Sequence, residues 1–155
     1  HVSLYPGAAD FLHRCRDLGA RVWIVSHKTE FNQYGHKKVN LRAAALEWME
    51  DRGFFDSNGF GFSRDEVYFE QTRDDKLARL ASLRCTHVVD DLVEVLTDPG
   101  FPTGPRRILF DPTDGSGGGP LFECCSSWEQ IGREIFGAPA PEAHDHYADA
   151  ARAAS

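Results

Sequence analysis

The sequence has no hydrophobic run that approaches the roughly 18 residues of a membrane-spanning helix, so we expect no membrane as a partner. It also lacks an excess of positive charge, because its formal net charge is −7. This charge argues against a nucleic-acid backbone as the main partner. A phosphorylated substrate is not excluded, because local charge and bound metal matter more than the total charge.

Cysteine is scarce and scattered. The four cysteines, Cys15, Cys85, Cys124 and Cys125, form no Cys-x-x-Cys pair and are too dispersed for a zinc site. We therefore expect reduced thiols and a cytoplasmic protein. No secretory signal is recognisable, but the chain begins at His1 rather than Met. This start favours a processed or excised piece of a longer protein, whose targeting information would lie elsewhere.

The 155 residues suit one domain of ordinary globular composition. Helical spacing of apolar residues predicts helices at about 9–18, 41–52, 72–83 and 128–136, and a short helix that ends at 96. Short apolar runs predict strands at 21–25, 67–70, 87–89 and 107–110, with loops at 54–64, 99–105 and 115–119. This alternation predicts an α/β domain with a mainly parallel sheet over residues 1–137. Residues 138–155 are predicted to form a flexible tail.

Functional side chains of such sheets lie just beyond the carboxyl ends of the strands. Hydroxyl, basic and acidic residues occupy these positions here: Ser26, His27, Lys28, Glu70, Thr72, Asp90, Asp91 and Asp111. The combination of these residue types indicates phosphate and metal chemistry.

Asp90 and Asp91 are adjacent carboxylates that directly follow a predicted strand. Two such charges repel unless a cation or strong donors lie between them. Mg²⁺ suits the pair, because this ion usually takes one or two carboxylates and keeps several waters. Ordinary structural explanations remain open as well: a solvated pair capping the helix at Leu92, Lys76 as a surface lysine, and Ser26 as a turn cap.

In order and spacing, these residues resemble the haloacid-dehalogenase-like (HAD) superfamily of Mg²⁺-dependent phosphatases, over residues 5 to about 136. The family's second motif is matched by Ser26 after an apolar strand, and its third by Lys76 near the start of a later helix. Asp90 and Asp91 match the acidic pair of the fourth motif. The resemblance implies a Rossmannoid three-layer sandwich with a mainly parallel sheet.

By that resemblance, Ser26 and Lys76 are catalytic: Ser26 hydrogen-bonds a phosphoryl oxygen, and Lys76 neutralises charge on the nucleophile and on the transferring group. Asp90 and Asp91 would hold Mg²⁺ as the cofactor.

His27 and Lys28 join Ser26 as candidate substrate-binding residues, because they begin a small basic patch beside the second motif. Steering of a substrate phosphate is one interpretation of this patch, and a solvated loop is the other.

The family's first motif, Asp-x-Asp after the first strand, has no acceptable match. Asp111 and Asp114 are separated by two residues rather than one and follow the last predicted strand, and Asp145 follows no strand. In the family's sheet the missing strand lies between the strands that end at Ser26 and Asp90. The chain must therefore recruit that strand, close the gap directly, or be a fragment of a longer protein. We favour the fragment and expect no phosphatase turnover from this chain alone.

The segments between the predicted strands are short, so we expect no large cap domain. An open site suits a bulky substrate or one covered by a neighbouring subunit in a homo-oligomer. The leading hypothesis is a HAD-like phosphatase acting through an aspartyl-phosphate in the parent protein. The alternative is a non-catalytic HAD-like module that binds a phosphorylated ligand or a protein partner. A Rossmann-like nucleotide-binding domain is disfavoured, because no Gly-x-Gly-x-x-Gly turn follows any strand.

Overall fold

A computed structural model describes residues 3–27, 31–34 and 37–138. Within these ranges the helices are α1 (Ala8–Asp17), α2 (Leu41–Asp51), α3 (Arg73–Leu83), α4 (Val93–Leu96) and α5 (Trp128–Phe136). The strands are β1 (Ile24–His27), β2 (Phe31–Tyr34), β3 (Lys37–Asn40), β4 (Val67–Glu70), β5 (His87–Asp90), β6 (Arg106–Phe110) and β7 (Glu123–Cys125). A membrane-crossing helix, long and apolar enough, is not found in these ranges. Of the predicted tail, residues 139–155 lie outside them.

The five predicted helices and the four predicted strands are all present, so the α/β class is confirmed. The first strand lies later in the chain than the apolar run at 21–25 predicts. It begins at Ile24 and continues through Ser26 and His27, because its pairing with β4 extends to His27 opposite Glu70. Ser26 and His27 are therefore strand residues rather than the start of a loop.

Three strands were not predicted. β2 and β3 form an antiparallel hairpin, and β7 pairs in parallel with β6. The hairpin is built mostly from polar residues, and β7 has three residues, two of them cysteine, so neither has the β-branched apolar run on which strand prediction relies. The hairpin adds a small element after β1 where only a loop was expected.

The parallel strands form two separate sheets rather than one. β1 pairs with β4, and β5 pairs with β6, which in turn pairs with β7. Between β1 and β5 no backbone hydrogen bonds are formed by the residues that the structure describes. The gap expected at this point is therefore not closed by direct pairing of its two edges.

Helices cover both faces of the β5–β6–β7 sheet. On one face, α3 and α4 pack Leu77, Leu80, Val95 and Leu96 against Val88 and Leu109. On the other, α1 and α5 pack Phe11, Trp128 and Ile131 against Ile108 and Phe110. Successive residues of β6 thus point to opposite faces, as a buried parallel strand requires. This half of the molecule has three layers.

The β1–β4 sheet has its own core. Met49 of α2 and the aromatic rings of Phe54, Phe60 and Phe62 are buried together, with Ile24 packed against them. The ring centroids of Phe54 and Phe60 lie 5.0 Å apart in an edge-to-face arrangement. These phenylalanines belong to a segment predicted only as a loop, so the core of this half is supplied partly by irregular structure.

Candidate active site

The carboxyl ends of β1, β4 and β5 all lie near the start of α3. Thr72 caps this helix, its hydroxyl accepting a hydrogen bond from the Asp75 amide at 3.1 Å. The helix begins three residues after β4 ends, so its first turn lies at the carboxyl end of that strand. His27, the last residue of β1, contacts the same connection through its Nε2, 2.7 Å from the Gln71 carbonyl oxygen.

Lys76 and Asp90 form a buried ion pair at this edge. The Lys76 Nζ lies 2.5 Å from Oδ2 of Asp90, and each residue is 8% exposed. The other carboxylate oxygen, Oδ1, accepts the Leu92 amide at 3.0 Å. Burying two charges costs several kcal/mol of desolvation per ion, which their attraction offsets only with good geometry. The two residues therefore depend on each other.

Asp91 differs from its neighbour. It is exposed and forms no hydrogen bond or ion pair with any residue in the described ranges. Those ranges also contain no group of three or more His, Cys, Asp or Glu side chains that would hold a metal ion. If Mg²⁺ binds here, Asp90 and Asp91 would be its protein ligands, since this ion usually takes one or two carboxylates. The remaining ligands would come from water, substrate phosphate or residues outside the described ranges.

The structure shows less about the three candidate substrate-binding residues, Ser26, His27 and Lys28. Ser26 is partly buried opposite Phe69, and it forms no hydrogen bond with either member of the Lys76–Asp90 pair. His27 is exposed and held by the Gln71 carbonyl. Lys28 lies outside the described residues. Of the six candidate residues, the structure brings Lys76 and Asp90 into contact and puts Ser26, His27 and Asp91 at the same edge.

The acidic residues after β6 form a closed turn. The Asp111 Oδ1 accepts hydrogen bonds from the Thr113 hydroxyl at 2.7 Å and from the amides of Thr113 and Asp114. These donors, the hydroxyl first, hold the pKa of Asp111 below its ordinary value. The Asp111 carboxylate therefore finds its hydrogen-bond donors within its own turn. It follows β6, the strand next to β5, which ends at Asp90.

Glu70 was a candidate from its position at a strand end, but its carboxylate is paired. Arg79 of α3 donates to it at 2.8 Å and lies 4.3 Å from the ring centroid of Tyr68. The hydrogen bond to Glu70 raises the pKa of Arg79. This arginine was not among the predicted site residues, although its position three residues after Lys76 puts both on one side of the helix. We assign the Glu70–Arg79 pair to holding α3 against β4.

Fold and site together define an α/β protein with two small parallel sheets and a buried lysine–aspartate pair at their carboxyl ends. No family model, curated protein or solved structure matches the chain. The resemblance to the HAD superfamily therefore rests on the order and spacing of the motifs in the sequence.

Proposed function

We propose that the chain is the core of a Mg²⁺-dependent phosphatase of the HAD-like class, acting on phosphomonoesters through an aspartyl-phosphate in the parent protein. The observation that supports this most is the contact between Lys76 and Asp90, 14 residues apart in sequence and buried at the carboxyl edge. These residues come from two of the three motifs that carry the resemblance. Burial of Lys76 at this edge argues against the alternative of a surface lysine.

Phosphoryl transfer requires mainly positioning and charge neutralisation from a protein. The Lys76 ammonium has three donors and uses one for Asp90, so two remain for phosphoryl oxygens. The Ser26 hydroxyl, which has no partner among the described residues, would donate to another phosphoryl oxygen. Asp91, with Asp90, would hold the Mg²⁺, which supplies positive charge to the transferring group.

The nucleophile would come from residues outside this sequence. The first Asp of an Asp-x-Asp motif would attack phosphorus and displace the alcohol, which takes a proton from the second Asp. The second Asp would then accept a proton from the water that hydrolyses the aspartyl-phosphate. Without these two residues, the chain alone would bind a phosphorylated substrate but would not turn it over.

A non-catalytic module that binds a phosphorylated ligand is the second candidate. It is favoured by the engagement of both Asp90 oxygens, one by Lys76 and one by the Leu92 amide. This arrangement suits recognition of a phosphate by Lys76 and Ser26 without a metal-dependent step.

Hydrolysis of an aryl phosphate in the presence of Mg²⁺ tests the proposal. The assay compares this chain with a version extended upstream through an Asp-x-Asp strand. We expect activity from the extended chain alone, and a loss on the order of 100-fold or more in its Asp90→Asn variant. Asp111→Asn is the matched control, because Asp111 also follows a strand but is satisfied within its own turn; it should retain activity.

Activity in the short chain would contradict our account of the nucleophile. If neither chain hydrolyses the ester while both bind inorganic phosphate, and Lys76→Met abolishes that binding, the non-catalytic module is the correct function.

A further inference from the structure

A groove of about 280 Å³ lies between α1 and α5, on the outer side of the β5–β6–β7 sheet. The aromatic rings of Phe11 and Trp128 line it, with their centroids 5.1 Å apart, and both side chains remain partly exposed. None of the described candidate active-site residues lines this groove. It is therefore a separate surface of the molecule, which we call the α1–α5 face.

The two helices run in the same direction along the groove. Gly7, which precedes α1, lies beside Trp128 at the start of α5. Arg14, in the last turn of α1, donates a hydrogen bond to the Gly137 carbonyl just beyond the end of α5, at 3.2 Å. The first turns of both helices therefore lie at one end of the groove and the last turns at the other.

The groove is acidic at one end and basic at the other. Asp10 and Glu129 lie in the first turns of α1 and α5, and Arg14 and Arg133 lie in the last turns. This order suits the helix dipoles, and it gives the whole face one charge polarity. The four-residue spacing would allow an ion pair within each helix, yet none of these side chains forms an ion pair with a residue that the structure describes. The four charges are therefore not neutralised within the described part of the chain.

Exposed apolar side chains flank the groove at both ends of α1. Tyr5 precedes the helix and is 56% exposed, although its ring packs edge-on against Phe110 at 5.0 Å. Leu18 follows the helix and is 59% exposed. It lies four residues after Arg14 and so on the same side of α1. Apolar side chains exposed next to charged ones are typical of interaction surfaces.

The features along α1 are complementary to their own reverse order. The midpoint of Asp10 and Arg14 is Leu12, and the midpoint of Tyr5 and Leu18 falls next to it, between residues 11 and 12. A second α1 laid antiparallel across this point would place acid against base, and one exposed apolar side chain against the other. On a two-fold axis each of these contacts occurs twice.

We propose that the α1–α5 face binds a second copy of this chain, with each helix antiparallel to its counterpart. Asp10 would meet the partner's Arg14, and Glu129 would meet the partner's Arg133. A parallel arrangement would bring the two acidic ends together, and like charges across an interface oppose it. The inference rests on the charges and exposed side chains of this face and does not depend on phosphatase chemistry.

Sedimentation of the chain over a range of protein concentrations, at low ionic strength where charges are least screened, tests the proposal. The unaltered chain should dimerise. Glu129→Arg should weaken the dimer about tenfold or more, because one substitution turns two attractive contacts into repulsive ones. Arg133→Glu should weaken it to a similar extent for the opposite reason. Glu47→Arg is the matched control, because Glu47 is exposed on α2 outside this face, and it should leave the dimer unchanged.

Rescue identifies the antiparallel arrangement. The double variant Glu129→Arg with Arg133→Glu reverses the polarity of α5 but keeps it self-complementary, so its dimer should be about as tight as that of the unaltered chain. An equimolar mixture of the two single variants should form a heterodimer that is tighter than either homodimer. Rescue also shows that the variants remain folded.

The apolar contacts are tested by Leu18→Asp, which puts a charge against the partner's Tyr5 and should weaken the dimer about tenfold or more. Leu121→Asp, at a 55% exposed residue outside the face, is its control and should have no effect.

A chain that stays monomeric at every concentration would overturn the proposal. A dimer that both single charge reversals leave intact would also overturn it, because the interface would then lie elsewhere. Weakening without rescue in the double variant and in the mixture would contradict the antiparallel pairing of α5 with α5. None of these outcomes bears on the hydrolysis assay, so the two proposals can fail separately.

Discussion

β6 and β1 each contain a short apolar run, yet the apolar side chains of the two strands are buried to different extents. In β6, Ile108 is 0% exposed and Leu109 is 5% exposed. In β1, Ile24 and Val25 are only partly buried. β6 has a strand on each side, whereas β1 pairs only with β4 within the part of the chain that the structure describes. The apolar run thus determines that a strand forms, but the neighbours of that strand determine how completely it is buried.

The β1–β4 half buries most of its core outside its two strands. Its most buried side chains are Met49 and three phenylalanines, Phe54, Phe60 and Phe62, contributed by α2 and the segment after it. The β5–β7 half instead buries its own strand residues between two helical layers. The two halves are joined by α3, which packs against strands of both sheets and contributes Lys76 to the ion pair with Asp90 of β5. We therefore expect the halves to differ in stability while this helix couples them.

The largest effect is expected from breaking the ion pair between α3 and β5. Asp90→Ala would leave the Lys76 ammonium buried without its partner, and we expect a loss of about 3–5 kcal/mol in the free energy of unfolding. Urea denaturation measures the loss. Asp91→Ala is the matched control, and because Asp91 is exposed we expect a change within about 0.5 kcal/mol.

The double variant Lys76→Met with Asp90→Leu tests the cause of that loss. Replacing a buried pair by apolar residues is often neutral or stabilising, so most of the stability should return. If the double variant is as unstable as Asp90→Ala alone, the loss arises from packing or from the Leu92 amide rather than from an unpaired charge.

The next effect compares the two strands directly. Ile108→Ala creates a cavity at a fully buried position, and we expect a loss of about 2–5 kcal/mol. Ile24→Ala removes the same atoms from a partly exposed position and should cost about 1 kcal/mol, because less apolar area returns to water. Urea denaturation of both variants gives the difference. Equal losses would show that β1 is as well covered in solution as β6.

Sequence reasoning succeeded where local pattern decides the structure. Helical periodicity located α5 at Trp128–Phe136, and the apolar run located β4 at Val67–Glu70. It failed where long-range contacts decide. β7 is a strand because β6 offers it an edge, and Phe60 is buried because its loop folds back on α2. Neither contact leaves a periodic signal in the sequence.

The candidate site divides along the same line. Motif order predicted that Lys76 and Asp90 belong to one site, and the structure brings them into contact. The same reasoning did not predict that the pair would be buried, that Asp91 would be exposed, or that Arg79 would hold Glu70. These properties depend on which helix face meets which strand end. The roles assigned to Ser26, His27 and Lys28 stay predictions.

The smallest effect concerns how readily each half opens. Cys15 of α1 lines a cavity with Phe60 and Phe62 of the β1–β4 half and is 3% exposed. Cys125 lies in β7 of the β5–β7 half and is 1% exposed. Burial raises the pKa of both thiols from 9.0 to about 11. At pH 8 their thiolate fraction is therefore about 100-fold lower than that of an exposed cysteine, so alkylation must proceed through opening of the structure.

We expect iodoacetamide to label Cys15 at least fivefold faster than Cys125, a difference of about 1 kcal/mol in the free energy of opening. Mass spectrometry of each cysteine peptide measures the rates, with the urea-unfolded chain as the reference for intrinsic reactivity. Because the folded pKa values are raised, the stability that the neutral thiols contribute is present below pH 9 and is lost as the pH rises towards 11. Equal rates at pH 8 would mean that the halves open as one unit.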